Sequence, residues 1–183
     1  MKKVILSLAV IAATISANAQ TKVSSSPIKI SVGVEAVAPF GDFAKTSKFG
    51  IGGSIQGDYN VDPTLAITLN AGYIDFLGKD QTITYPGVGN VTVKHADFGL
   101  IPVLAGIKYS FTPQLYGSAQ LGVSFSTEKN GGSNFTYAPG IGYKFSDNFD
   151  ILAKYTGYSV KSSGSGNGSS SLNTAGVRLA YTF

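Results

Sequence analysis

The sequence has no cysteine at any position. That excludes a disulfide in any compartment and a cysteine-linked lipid anchor. It has one histidine, and only 13% of its 183 residues are charged. Long apolar runs are scarce too. After the first 19 residues no stretch of about 18 apolar residues occurs, so no membrane-spanning helix is available. The pI of 9.2 and the net charge of +4 suggest a basic protein, but both owe much to the opening segment. Lys2 and Lys3, the apolar run Val4 to Ala13, and Ala17-Asn18-Ala19 have the form of a secretory signal. With cleavage after Ala19 the 14 basic residues lose two lysines, and 12 against 10 acidic residues leave +2. A nucleic-acid partner thereby loses its main support.

What the chain does have is 23 glycines, 10 tyrosines and 11 phenylalanines. Little charge with many aromatics and glycines points to an all-β protein with a crowded face. The expected organisation is a signal peptide at 1–19, a short leader at 20–27 and one domain at 28–183.

That domain alternates with a period of two, eight times over. "IKISVGVEAV" sets Ile28, Ile30, Val32, Val34 and Ala36 against Ser31, Gly33 and Glu35. "FGIGGSIQGDY", "LAITLNAGY" and "GLIPVLAGIKY" follow, then "YGSAQLGVSF", "FTYAPGIGYKF", "DILAKYTGY" and "TAGVRLAYTF". Each is about 9 to 11 residues, enough for a tilted strand to cross a bilayer. The connections alternate as well. Tight turns at 60–64, 110–114 and 146–149 are rich in Pro, Asp and Asn, whereas the stretches near 37–48, 75–95, 126–134 and 159–173 are longer. Short ends on one side, long ends on the other and an even strand count describe an up-and-down antiparallel transmembrane barrel, with periplasmic turns and extracellular loops.

The aromatics gather at strand ends. Tyr109 and Phe111 recur as Tyr143 and Phe145, and again as Tyr181 and Phe183. They read as a girdle at headgroup depth on the short-turn side. Tyr73, Phe76, Phe125, Phe135 and Tyr137 are expected to form the opposite belt.

On these features residues 28–183 resemble the small eight-stranded outer-membrane β-barrel family of Gram-negative bacteria. The resemblance implies residence in the outer membrane, lipid as surroundings, and a final aromatic strand read by the insertion machinery during assembly. The usual signal has Gly five residues before its aromatic, as Gly106 and Gly140 stand to Phe111 and Phe145; before Phe183 that place is taken by Arg178, with Gly176 two residues earlier.

An eight-stranded lumen is just wide enough for side chains to fill, so no wide pore is expected. The inward face contains Glu35, Asp58, Lys108, Lys144, Asp150, Lys154 and Arg178. Closure makes the first and last strands neighbours, so a Glu35–Arg178 contact is expected at mid-depth, with an acidic–basic layer below it. Pro102 and Pro139 fall inside strands, where bulges are expected to accommodate them.

Catalytic signals are sparse. Asp58-x-Asn60-x-Asp62 begins like a calcium loop but continues with Pro63 and Leu69 where Gly and Glu are needed. "FGIGG" at 49–53 lacks the Gly-Lys-Ser/Thr of a phosphate loop. Neither a metal nor a cofactor is expected. His95, Ser126 and Glu128 share the long-loop rim and form a weak hydrolase candidate, since lipid A deacylase-like barrels use such groups there. "TITYPGVGNVTV" reads as two alternating arms about a turn, so a protruding hairpin within 76–95 offers an edge to a protein partner. "KSSGSGNGSSS" reads as a flexible loop. Three functional classes remain at this point: a structural or surface-interacting barrel without catalysis, a lipid-modifying hydrolase, and a soluble ligand-binding barrel with its faces reversed.

Overall fold

The computed structural model describes residues 27–85, 89–93, 96–128, 131–161 and 169–183. The segments expected to be signal and leader lie outside the described residues, Pro27 excepted, and so does His95. The elements are β1 (Ile28–Phe40), α1 (Phe43–Thr46), β2 (Ser47–Asn60), β3 (Leu65–Gly78), β4 (Gln81–Tyr85) and β5 (Gly89–Val93). They continue with β6 (Phe98–Ser110), β7 (Leu115–Ser126), β8 (Ser133–Lys144), β9 (Phe149–Lys161) and β10 (Ser169–Thr182).

Eight antiparallel strands close in the order β1-β10-β9-β8-β7-β6-β3-β2, and β4 pairs with β5 in a separate hairpin. The seam joins first to last strand in register from Ser31↔Thr182 to Phe40↔Asn173. The final residue is stitched to it, because Phe183 N–H donates to the Ile30 carbonyl at 2.9 Å. Closure leaves no unpaired edge in hydrocarbon, where each orphaned backbone group costs several kcal/mol.

The faces are those of a membrane barrel. Val34, Leu69 and Ile141 stand 64%, 62% and 62% exposed on the outer wall, while Thr68, Asn70 and Arg178 are buried inside. The soluble ligand-binding barrel, which needs the reverse, is excluded. A shallow depression of about 1150 Å³ crosses the outer wall at Ala36, Ala119, Pro139, Ala153 and Ala175; small side chains there make room for lipid.

Several expectations need correcting. The barrel strands run 12 to 14 residues rather than 9 to 11. They extend into the loops, so the first and third loops shrink to 41–46 and 127–132. Part of the Ser/Gly-rich stretch is likewise paired, Ser169 opposite Lys161. Neither proline produces a bulge. Around Pro102 the β3–β6 ladder lapses between Ala71↔Val103 and Ile74↔Leu100, then resumes in the same register. Around Pro139 the β8–β9 ladder behaves the same way. A proline that forfeits one donor at a ladder position needs no extra residue. The register shift falls instead between Ser47 and Gly50, beside α1.

The lumen is not polar throughout. At its extracellular end Val37, Phe43, Ile74, Phe76, Leu100 and Tyr158 form an apolar plug. Phe76, expected on the outer belt, is 0% exposed inside this plug. It stacks on Phe98 at 5.2 Å and packs against Phe43 at 5.0 Å. Alternation continues through β3, with Ile74 and Phe76 on the inward face of Thr68 and Asn70 and with Tyr73 and Asp75 on the other. The belt expectation rests on nearness to the strand end, which does not carry that phase. Phe125, Phe135 and Tyr137 do stand on the outer surface. Phe76→Ala is expected to lower stability by about 3 kcal/mol through the cavity it leaves; urea unfolding in lipid vesicles checks this.

Candidate functional site

Below the plug, polar side chains brace the lumen, several of them by reaching past the adjacent strand. At mid-depth Glu35 on β1 lies 2.7 Å from Lys154 Nζ on β9, skipping β10 between them. Arg178 on β10, 2% exposed, is 4.0 Å from the other Glu35 oxygen. The expected Glu35–Arg178 pair therefore exists only as a long contact. Arg178 gives its hydrogen bonds to Ser54 Oγ at 2.8 Å and Ser31 Oγ at 3.1 Å. Its stem lies over Gly33, where a Cβ would come within 2.7 Å of Nε; a larger residue would displace the guanidinium.

One level lower an amide mesh crosses the lumen. Gln120 Nε2 donates to Gln56 Oε1 and Thr68 Oγ1, both at 3.1 Å. Asn70 donates to the same Gln56 oxygen at 3.3 Å, and Gln56 donates to Asp58 at 2.7 Å. At the periplasmic mouth Lys108 Nζ pairs with Asp58 at 2.8 Å and sits 4.4 Å above the Tyr116 ring. Tyr116 donates its hydroxyl to Asp150 at 2.6 Å. The seven ionisable residues assigned inward are thus gathered in two layers, with Lys144 alone lacking a carboxylate oxygen within 4.0 Å among the described residues of that set. Sequence reading missed the amides and Tyr116, because an uncharged polar residue on an inward face gives no clue to its partner.

The girdle aromatics repeat one geometry. Tyr109–Phe111, Tyr143–Phe145 and Tyr181–Phe183 are edge-on pairs with centroids 5.5, 5.7 and 5.1 Å apart. All three follow from Tyr-x-Phe leaving a strand on the lipid side.

The hydrolase candidate is not assembled among the described residues. His95 lies outside them, and Ser126 Oγ accepts the Glu128 backbone N–H at 3.3 Å within its own loop. No group of three or more His, Asp or Glu able to hold a metal occurs among the described residues.

The sequence matches the model of the outer membrane protein beta-barrel domain family over residues 5–183. The chain belongs to that family. The match starts inside the segment expected to be the signal. Solved structures of similar fold include the N-terminal β-barrel domain of Pseudomonas aeruginosa OprF, at 15% identity and TM-score 0.54, covering 85% of this chain and 97% of that one. Ail, the attachment invasion locus protein of Yersinia pestis, is similar at 16% and 0.53, with coverage of 85% and 97%. Neisserial surface protein A is similar at 16% and 0.52, covering 86% and 96%. No curated protein matches the sequence. The family places this chain in the outer membrane.

Two outcomes are expected from this site. Glu35→Gln leaves Lys154 and Arg178 without their counter-charge and should cost about 3 kcal/mol or more, whereas Arg178→Met should lower the temperature of the heat-dependent gel shift further than exposed Lys48→Met does. The second concerns the periplasmic turn. Asp62 accepts from Thr64 N–H, Thr64 Oγ1 and Leu65 N–H at 2.7, 2.8 and 2.9 Å, which holds its carboxyl below the ordinary 3.8. The anion's contribution to the turn is complete above the ordinary value and is lost as pH falls through the depressed one. Amide exchange at Thr64 and Leu65 should therefore quicken below that range, and Asp62→Asn should abolish the pH dependence.

Proposed function

We propose that this outer-membrane barrel neither catalyses nor conducts, and that its role is contact at the cell surface through its extracellular loops. The observation that carries this reading is the filled lumen. Apolar plug, ionic bracing and amide mesh occupy successive levels, which leaves the projecting segments as the parts free to act. Chief among them is the β4–β5 hairpin, paired from Gln81↔Val93 to Tyr85↔Gly89. Its outer backbone edges carry N–H and C=O groups that an extended segment of a protein partner can take up by strand addition. On the same reading residues 1–19 are removed on export, and Tyr181 and Phe183 with their counterparts engage the insertion machinery.

Counted between the observed strands, the connections on this side carry four basic residues (Lys45, Lys79, Lys94 and Lys129) and four acidic ones (Asp42, Asp80, Asp97 and Glu128). Ail of Yersinia pestis has been solved in complex with the heparin analogue sucrose octasulfate, so that compound and immobilised host proteins are fitting probes. Replacing residues 80–95 with a two-residue turn should preserve heat-modifiable gel mobility while abolishing adhesion of expressing cells. Stepwise conductance by the intact protein in planar bilayers, acyl-chain release from lipid A, or undiminished adhesion without the hairpin would overturn the proposal.

A further inference from the structure

The periplasmic mouth holds a cavity of about 370 Å³ with Lys29, Lys108 and Lys144 on its wall. It is blind: above it lie the Tyr116–Asp150 contact and the amide mesh. Four carboxylates line it as well, those of Asp58, Asp62, Asp147 and Asp150, so the wall as a whole is not cationic. What matters is which charges are already engaged. Asp58 spends one oxygen on Gln56 and the other on Lys108. Asp62 is turned into its own backbone turn, and Asp150 accepts from Tyr116. Asp147 sits on the exposed turn between β8 and β9.

The ammonium groups are differently placed. Lys144 is half-buried, and neither it nor Lys29 has a carboxylate oxygen within 4.0 Å among the described residues. Lys144 stands opposite Asp150 in the ladder, and the positive charges of Lys108 and Lys29 act on it more strongly than the negative ones of Asp150 and Asp58. Each ammonium carries three N–H donors, and Lys108 commits one of them to Asp58. Crowding partly dehydrated like charges is costly unless an anion sits among them.

We infer that this mouth binds a small oxyanion of the phosphate class, entering from the periplasmic water and held chiefly by Lys144, with Lys29 and Lys108 beside it. The site is independent of the extracellular loops, so it stands or falls apart from the surface role proposed above. A dissociation constant in the millimolar range is expected, because each contact stays partly hydrated.

The test is a titration of the isotope-labelled, refolded barrel in phosphate-free maltoside micelles. Inorganic phosphate is added at constant ionic strength, with sodium chloride as the comparison. Saturable amide shifts at Lys29, Gly142, Lys144 and Asp150 are expected, weakened about ten-fold or more by Lys144→Gln, less by Lys29→Gln and not at all by Lys48→Gln. Gel mobility of unboiled samples verifies that each variant is folded. Shifts that chloride reproduces, that fail to saturate, or that survive in Lys144→Gln overturn the inference. Saturation by phosphatidylglycerol headgroups but not by free phosphate overturns the route from the periplasmic water.

Discussion

A sheet closed at eight strands fixes the width of its own interior, and that width governs everything else in this protein. The lumen is too narrow for water in bulk and too wide to be left empty, so side chains must meet across it. Polar groups that meet there are cut off from solvent and must satisfy one another. The contacts that result skip strands: Glu35 to Lys154, Lys108 to Asp58, Tyr116 to Asp150 and Arg178 to Ser54. Backbone ladders hold neighbouring strands side by side. The side-chain chords hold the cross-section of the cylinder.

The same constraint divides the interior along its axis. Toward the cell exterior, aromatic and aliphatic groups fill it, with Phe43 delivered by the short helix α1 of the first loop. Toward the periplasm, charge and amide groups fill it and leave room at the mouth. A molecule closed above and open below cannot be a symmetric channel. Its two ends face different solutions with different chemistry, which suits separate roles for each.

How much of this was legible beforehand follows from what alternation can encode. Strand number, pairing and facing were readable because residues such as Ile67, Thr68, Leu69 and Asn70 alternate cleanly between lipid and lumen. The charged inward set was readable for the same reason. Phe76 keeps the inward phase of Thr68, Asn70 and Ile74; placing it in the outer belt follows its nearness to the strand end and sets that phase aside. Partner choice was illegible. Glu35 stands directly opposite Arg178 in the ladder, yet Lys154 from two strands away comes closer, because the guanidinium is turned to Ser54 and Ser31. Register is a property of sequence neighbours; contact across a lumen depends on side-chain length and on the glycines that clear a path, such as Gly33.

The Glu35–Lys154 contact has a consequence for how the cylinder comes into being. It ties β1 to β9 across a span of 119 positions, from 35 to 154, and a sheet zipped in chain order with β1 and β10 as its margins cannot contain it. Until the two free margins meet, a carboxylate and two cations would face oil or solvent unpaired. Closure is thus rewarded all at once, which favours a wall that arrives in the bilayer nearly complete over one that lingers half rolled.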